Sequence, residues 1–391
     1  MKRGGTIPRT ASPHTARLIN DRLAFDLLLE RGPLTRTQLR TLTGLSGPTV
    51  ADLVQRLESA GLVAPVGEAG AERRGPNARL YGVVADRAHV AGVEVRPDHV
   101  RAVVTDLTGQ PVGTAVVAQD ARVAPDRLVR DALDGALADA GRAGDSPAMV
   151  VVGTPGLVDP GTGDVAFAVS LPTWHGNLLP GLRERFGPRV LLENEVNLVG
   201  LAEHRLGVAR GRDTFALVSL GDGIGVAVVL GGRLHRGASG GAGEVSYVPA
   251  DGGTYQQVAG GAAVVETARR HGLTGSIDDL AGLVGGAVER AEAGGDPAAE
   301  AFLDDLADRI STGAAAVCAV LDPGYVVLAG AVGQAGGPAL AERVARRLAA
   351  RLPLPTEVAA SDVSGNPVVR GAVLVALDHL HRETFGLPAA R

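Results

Sequence analysis

The sequence predicts an α/β protein in two parts, a small helical head at the N-terminus and a larger body of alternating strands and helices. Three observations support this prediction. Apolar residues recur at helical spacing up to about residue 60, whereas short apolar runs ending in glycine-rich turns dominate after residue 88. The chain has 391 residues, 45% of them hydrophobic, which suffices for two or three domains with sizeable cores. The two parts also differ in charge.

Residues 1–84 contain 12 Lys and Arg and 7 Asp and Glu, a net charge of +5, so the remainder of the chain carries −10. A basic head on an acidic body is expected when only the head meets a polyanion, although random scatter of surface charge is an alternative explanation.

Composition also excludes several classes of protein. No run of about 18 apolar residues is present, and the basic segment Met1 to Thr15 lacks the apolar stretch of a signal peptide. We therefore expect a cytoplasmic protein without membrane contact. The single Cys318 excludes an intrachain disulfide and a multi-cysteine metal cage, and its apolar surroundings predict a buried, inert thiol.

The head begins with a predicted helix over the apolar residues 18–29. Thr35 is the expected N-cap of a short second helix, which Gly44 ends. Ser46 is the expected N-cap of a third helix, which Gly61 stops. Two alternating stretches over 62–66 and 78–84 then predict a hairpin around a loop rich in Gly and Arg.

Helix, helix, turn, helix and hairpin is the order of a winged helix-turn-helix, which we predict for residues 15–84, after a flexible basic arm over residues 1–14. In such a domain the third helix enters the major groove of double-stranded DNA, the second helix contacts the backbone, and the wing contacts phosphates or a minor groove. A small protein-binding helical domain is the alternative. The predicted DNA-binding residues are Arg36, Thr37, Gln38, Ser46, Gly47, Pro48, Thr49, Gln55, Arg56, Arg73, Arg74, Asn77 and Arg79.

The body, residues 88–391, consists of two α/β units that each open with a meander of strands. The first unit contains the buried strand "AMVVVGTPGLV", and the second contains the hairpin "TFALVSLGDGIGVAVVLGGRL". Helices are expected at about 125–140, 297–321 and 338–351. This duplication predicts the ribonuclease H-like architecture of actin and sugar kinases, with lobes over about 88–196 and 197–391 and a ligand in the cleft between them.

The blocks "GTPGLVDPGTG", "LPTW", "LLENEVN", "LGDGIG", "RGASGGAGEVSY" and "LDPGYVVLAGAVG" resemble, in order, the signature blocks of the ROK family, named for repressor, open reading frame and kinase. The segment "LTRTQLRTLTGLSGPTVADLVQRLESAGLV" resembles the DNA-binding domain of that family's repressors. The resemblance covers residues 15–385. It implies a sugar in the cleft and, in the kinases of the family, phosphorylation by ATP.

Several departures from the family pattern argue against kinase activity. A phosphate-binding turn that the resemblance places near the start of the body reads Glu94-Val95-Arg96-Pro97-Asp98 here, without the glycine that lets backbone N–H groups approach a phosphate. A second phosphate loop carries Asp222 in place of a hydroxyl, which sets a carboxylate against phosphate. We therefore expect no ATP and no other cofactor.

The catalytic Asp of the family is replaced by Glu195, which has similar basicity but is one methylene longer. The resemblance places the family's zinc-binding His at Tyr247 in "GEVSY", and the cysteines that follow it are missing, so no zinc is expected. Part of the family's sugar-binding set is retained. The predicted effector-binding residues are Ser170, Trp174, Asn194, Glu195, Glu244, Tyr247 and Gln256.

The sequence thus predicts a transcriptional regulator, most simply a repressor, that binds operator DNA as a homodimer or a dimer of dimers and senses a sugar or related small molecule. One alternative is a vestigial cleft, in which Glu195 and Glu244 are merely solvated, Trp174 fills the core, and a protein partner controls the regulator. The other is an active sugar kinase with an appended DNA-binding module.

Overall fold

The structure, a computed structural model, describes residues 13–69, 78–168, 171, 174 and 178–386. It has the predicted α/β architecture, a winged helix-turn-helix followed by a two-lobed body. Most of the predicted basic arm and the tip of the predicted wing, at residues 1–12 and 70–77, lie outside the described residues.

The head packs three helices against a small antiparallel sheet of strand order β1-β3-β2. Gly44 (φ 71°) and Gly61 (φ 68°) end the second helix and the turn after the third with left-handed backbone, as expected for glycine. The elements are α1 (Pro13–Arg31), β1 (Leu34–Thr35), α2 (Arg36–Thr43), α3 (Gly47–Ser59), β2 (Val63–Ala69) and β3 (Ala78–Val83).

The first lobe is built on a five-stranded sheet of order β10-β7-β4-β5-β6, in which β4, β7 and β10 are parallel and β5 and β6 complete an antiparallel meander. Two helices cover its outer face, and a short hairpin, β8-β9, follows β7. The elements are β4 (Val90–Val95), β5 (His99–Thr105), β6 (Pro111–Ala118), α4 (Pro125–Asp139), β7 (Met149–Thr154), β8 (Leu157–Val158), β9 (Val165–Phe167), α5 (Leu178–Phe186) and β10 (Val190–Asn194).

The second lobe repeats this arrangement with the order β13-β12-β11-β16-β17, which is the duplication that the sequence predicts. The predicted start of a helix at Pro338 follows a kink at Gly337 (φ 52°), across which two helical segments join. The elements are β11 (Phe215–Leu220), β12 (Ile224–Leu230), β13 (Arg233–Leu234), β14 (Pro249–Ala250), β15 (Gly253–Thr254), α7 (Tyr255–Ala259), α8 (Gly261–Arg270), α9 (Leu280–Gly294), α10 (Pro297–Leu321), β16 (Tyr325–Ala329), α11 (Gly330–Arg351) and β17 (Glu357–Ala360).

Two further helices, α6 (Glu195–Leu206) and α12 (Pro367–Thr384), lie between the two sheets. Helix α6 packs on β12 of the second lobe, whereas α12 packs on β4 and β7 of the first lobe and on α6. Helix α12 therefore packs as part of the first lobe, whereas the predicted lobe bounds assign it to the second lobe. Periodicity along the sequence could not reveal it, because it depends on contacts between distant segments.

No helix in the described part of the chain combines the length and apolar character needed to cross a bilayer.

Candidate functional site

The helix-turn-helix is held in shape by local caps. Thr35 and Gln38 form a capping box, in which the Thr35 N–H donates to Gln38 Oε1 (2.8 Å) and the Gln38 N–H donates to Thr35 Oγ1 (3.2 Å). Ser46 caps α3 by accepting from the Thr49 N–H. Because its side-chain oxygen serves this cap, Gln38 has only its amide nitrogen left for the predicted DNA contact.

The N-terminal end of α3 presents the predicted reading surface. Gly47, Pro48 and Thr49 are exposed, and Gln55 is exposed one and a half turns further along the helix. The Thr49 and Ser46 hydroxyls lie 2.8 Å apart and are both exposed. These positions correspond to the residues that contact base edges when a recognition helix lies in the major groove.

Arg56 is held by the protein. Its guanidinium donates to both oxygens of the buried Asp21 carboxylate on α1 (2.9 and 2.5 Å) and also pairs with Asp52. The hydrogen bond to Asp21 raises the pKa of Arg56 above its usual range. Arg56 therefore joins α3 to α1, a role that periodicity did not reveal, and its predicted contact with DNA remains a prediction.

Basic side chains also lie on the exposed face of α2. Arg36 lies over the Tyr81 ring, 5.1 Å from its centroid, with Glu58 at 3.9 Å. Arg40, one turn later, is exposed and forms no ion pair with any described residue. Sequence reasoning did not select Arg40, although the spacing of four from Arg36 places both on one helix face. Thr37 on α2 and Arg79 on β3 are also exposed, whereas Arg73, Arg74 and Asn77 lie outside the described residues.

The cleft of the body begins at the carboxyl end of β4. The Glu94 side chain there is 5% exposed and accepts a hydrogen bond from Asn366 Nδ2 (2.5 Å). Arg96 and Arg101 approach the same carboxylate only to 3.9 and 4.0 Å. The turn that the family resemblance assigns to phosphate therefore begins, in this chain, at a buried carboxylate partly balanced by surrounding cations.

The carboxyl end of β10 supplies the next part of the cleft. Asn194 caps α6 through its side-chain oxygen and donates through its nitrogen to the Gly156 carbonyl (2.8 Å). Glu193 is buried and forms an ion pair with Arg236 of the second lobe (2.7 Å). Sequence reasoning selected neither Glu193 nor Arg236, because a separation of 43 positions along the chain hides the pairing.

Glu195 and Glu244 are two predicted effector residues whose carboxylates retain free acceptor capacity. Both side chains are half-buried, and neither accepts a hydrogen bond from any residue that the structure describes. Burial raises the pKa of Glu195 to about 7, with Glu94 raising it further and Arg96 lowering it. Burial also raises the pKa of Glu244. Both groups can accept hydroxyl donors from a polyol.

The loop before Glu244 crosses from the second lobe to the first. A Cβ atom at Gly240 would lie 2.2 Å from the Val158 carbonyl oxygen, and one at Gly241 would lie 3.7 Å from Leu157 and 3.9 Å from the Glu244 side chain. The loop therefore packs on the β8–β9 hairpin, and Gly156, the residue before this hairpin, accepts a hydrogen bond from Asn194.

The other predicted effector residues are placed differently. Trp174 is 3% exposed in the core of the first lobe, which favours the alternative that it fills the core. Gln256 donates to the Asp222 carbonyl (2.8 Å) and accepts from the Ile224 N–H (3.0 Å), so it braces the β11–β12 turn. Tyr247 is 57% exposed, and Ser170 lies outside the described residues.

The residues that replace the family's zinc ligands do not suit zinc. Glu244 is followed by Val245, Ser246 and Tyr247, and a structural zinc ion takes four nitrogen or sulfur ligands. Within the described ranges, no group of three His, Cys, Asp or Glu side chains has the spacing of a metal site.

Residues 90–379 match the ROK family, and the chain belongs to that family. It is 28% identical over 266 residues to a glucokinase of Thermotoga maritima, a match that covers 62% of this chain and 82% of the glucokinase. It is 25% identical over 236 residues to the xylose repressor of Bacillus subtilis, a match that covers 60% of this chain and 61% of the repressor.

Among solved structures, a ROK family transcriptional regulator described as a homolog of the Escherichia coli Mlc protein aligns over 95% of this chain and 99% of its own, with a TM-score of 0.73 and 19% identity. That similarity extends over both head and body and confirms the predicted fold. The family contains both regulators and kinases at similar identity to this chain.

Proposed function

We propose that this chain is a DNA-binding transcriptional repressor that senses a sugar or related small molecule without phosphorylating it. The observation that carries the proposal is an exposed helix-turn-helix surface combined with a kinase-like cleft. In the turns that correspond to the phosphate-binding turns of kinases, this cleft has Arg96 in place of glycine and Asp222 in place of a hydroxyl residue. The relatedness to xylose repressors supports the same conclusion. A cytoplasmic location follows from the proposed role.

The DNA-binding part of the proposal is supported by the exposed residues at the start of α3 and by Arg36 and Arg40 on α2. A single helix-turn-helix covers only one half-site. We therefore propose that two copies of the chain bind a palindromic operator whose half-sites are about one helical turn, or roughly 34–36 Å, apart.

The effector part is supported by Glu195 and Glu244, two half-buried carboxylates with free acceptor capacity in one cleft. A sugar offers several hydroxyl donors, and desolvated carboxylates are strong acceptors for them. Loss of phosphoryl transfer is supported by Asp222, which would repel phosphate, and by Arg96, which stands where the other phosphate turn needs a glycine.

A second candidate is a regulator with a vestigial cleft that a protein partner controls. Two of the predicted effector residues support it, because Trp174 fills the first-lobe core and Gln256 braces a turn. This candidate predicts that no sugar alters either DNA binding or thermal stability.

The test is a fluorescence anisotropy titration of the full chain against promoter DNA beside its own gene, with random DNA as competitor and with a panel of sugars and sugar phosphates. Competitor-resistant binding that one compound releases supports the proposal. The same compound at about 100 times its Kd should stabilise the folded chain by about 2.7 kcal/mol. Specific binding indifferent to the whole panel favours the partner-controlled regulator.

A kinase assay on the same preparations distinguishes the proposed repressor from the remaining alternative, an active sugar kinase. We expect no sugar-dependent release of ADP by the wild-type chain. Release of ADP that the Glu195→Gln variant abolishes would contradict the proposal and establish Glu195 as a general base.

A further inference from the structure

We propose that α12 couples the cleft to the DNA-binding head, with Asn366 at its cleft end and Phe385 at its head end. This inference rests on the proposed function, since it assigns the path by which a ligand in the cleft alters DNA binding. One end of α12 contacts the cleft, and the other end contacts the head.

The first end of α12 belongs to the cleft. Asn366 is the N-cap of the helix, and its side-chain oxygen accepts from the Val369 N–H (2.9 Å). Its side-chain nitrogen donates to the buried Glu94 carboxylate (2.5 Å). A change at Glu94 therefore acts directly on the residue that begins α12.

The other end of α12 belongs to the core of the head. Phe25 of α1 is fully buried, with its ring 5.1 Å from that of His381 and 5.6 Å from that of Phe385. Arg22 of α1 also approaches Asp378 to 3.5 Å. The position of α1, and with it of α3 through the bond between Arg56 and Asp21, is therefore fixed relative to the end of α12.

The middle of α12 is packed without spare room. A Cβ atom at Gly371 would lie 2.1 Å from the Leu198 carbonyl oxygen of α6, and one at Gly92 of β4 would lie 2.9 Å from the Val369 carbonyl oxygen. The helix has 18 residues and is therefore about 27 Å long. Because backbone contacts hold it on two sides, we expect it to move as a rigid element, so a shift at Asn366 reaches Phe385.

A ligand can act on this helix through the hydrogen bond between Glu94 and Asn366. A donor group of a ligand bound near Glu195 would compete with Asn366 for the Glu94 carboxylate, since Glu94 is close enough to Glu195 to raise its pKa. A ligand that binds more tightly when the bond between Glu94 and Asn366 is broken would shift α12 away from the position described here, and the reciprocal effect would fall on DNA binding.

The test is Asn366→Asp in the full chain, with no ligand required. Aspartate keeps the cap of α12, because its carboxylate still accepts from the Val369 N–H, but it brings a second negative charge against Glu94. We expect amide hydrogen exchange in α1 and in residues 378–385 to accelerate roughly fivefold or more, the lower end of typical allosteric coupling.

A second variant distinguishes loss of the bond between residues 94 and 366 from general unfolding. In Glu94→Gln/Asn366→Asp the donor and acceptor exchange roles, so protection should return at both ends of α12 together. Asp296→Asn, which alters the cap of α10 in the second lobe, should leave exchange in α1 unchanged.

Faster exchange confined to residues 362–370 would overturn the proposal, as would equal acceleration in α1 and α10. Restoration of the cleft end by the double variant without restoration of α1 would also overturn it. Operator binding by the wild-type chain is measured separately, so failure of the proposed function and failure of this coupling give different results.

Discussion

Thr49 lies where α3 would meet the edges of the bases, and its hydroxyl is exposed beside that of Ser46. We predict that Thr49→Ala weakens binding to the operator by about 1 kcal/mol, roughly fivefold, because one hydrogen bond to a base is lost. Binding to random DNA should not change, and Thr49→Ser should retain most of the affinity. Equal losses on operator and random DNA in competition titrations would contradict the assignment.

Arg40 provides a prediction about contacts with the phosphate backbone of the DNA. Its side chain is exposed and forms no ion pair within the described ranges, so it is free to contact a phosphate. We predict that Arg40→Ala weakens binding to operator and random DNA alike and lowers the slope of log K against log salt by about one. Arg122→Ala, which alters an 89% exposed side chain of the body, is the matched control and should change neither quantity.

Glu195 provides a prediction about pH. Burial raises the pKa of Glu195 from its usual value of 4.5 to about 7, so between these values the folded state binds a proton that the unfolded state has released. The contribution of Glu195 to the free energy of unfolding therefore falls as pH rises through this window. We predict that Glu195→Gln raises that free energy by about 1–3 kcal/mol at pH 8 and by much less at pH 5. Urea titrations at both pH values measure the difference, and an equal effect at each would refute it.

At the scale of elements, the crossing of α12 over α6 depends on Gly371. A Cβ atom there would collide with the Leu198 carbonyl oxygen, and backbone cannot move aside as a side chain can. We predict that Gly371→Ala lowers the free energy of unfolding by about 2 kcal/mol or more, although alanine favours the helix itself. Gly286→Ala in α9, where a Cβ atom would meet nothing within 4 Å, should raise it by about 0.5–1 kcal/mol. Comparable effects of the two substitutions in urea titrations would argue against this crossing.

Elements governed by local chemistry were predictable from sequence. The caps at Thr35 and Ser46 and the helix end at Gly44 follow from interactions over three or four residues. The pattern of apolar runs also predicted the duplicated meander, and the two five-stranded sheets confirm that fold class. The contact of Asn366 with Glu94 joins residues 272 apart in sequence, and nothing in the pattern near either residue points to the other.

At the scale of the whole molecule, the two lobes are joined across the cleft by Arg236 and Glu193. Arg236→Ala would leave the buried Glu193 carboxylate without its cation, so we predict a loss of about 2–3 kcal/mol in the free energy of unfolding. In the Glu193→Gln background the same substitution should cost much less. Arg269→Ala, which breaks an exposed pair with Glu266 inside the second lobe, should have little effect. Additive losses in this cycle would show that the pair does not join the lobes.

The presence of Phe385 in the core of the head has a consequence for synthesis of the chain. Phe385 is 4% exposed against the buried Phe25, so the head, which is translated before the body, lacks part of its interior until α12 and Phe385 have emerged. Proteins generally fold from the N-terminus during translation, but this head has to wait for the C-terminal residues. Chains that terminate early would carry a complete helix-turn-helix sequence and an incomplete core. Such fragments should therefore be poor competitors for operator sites, so that only copies translated through Phe385 would regulate.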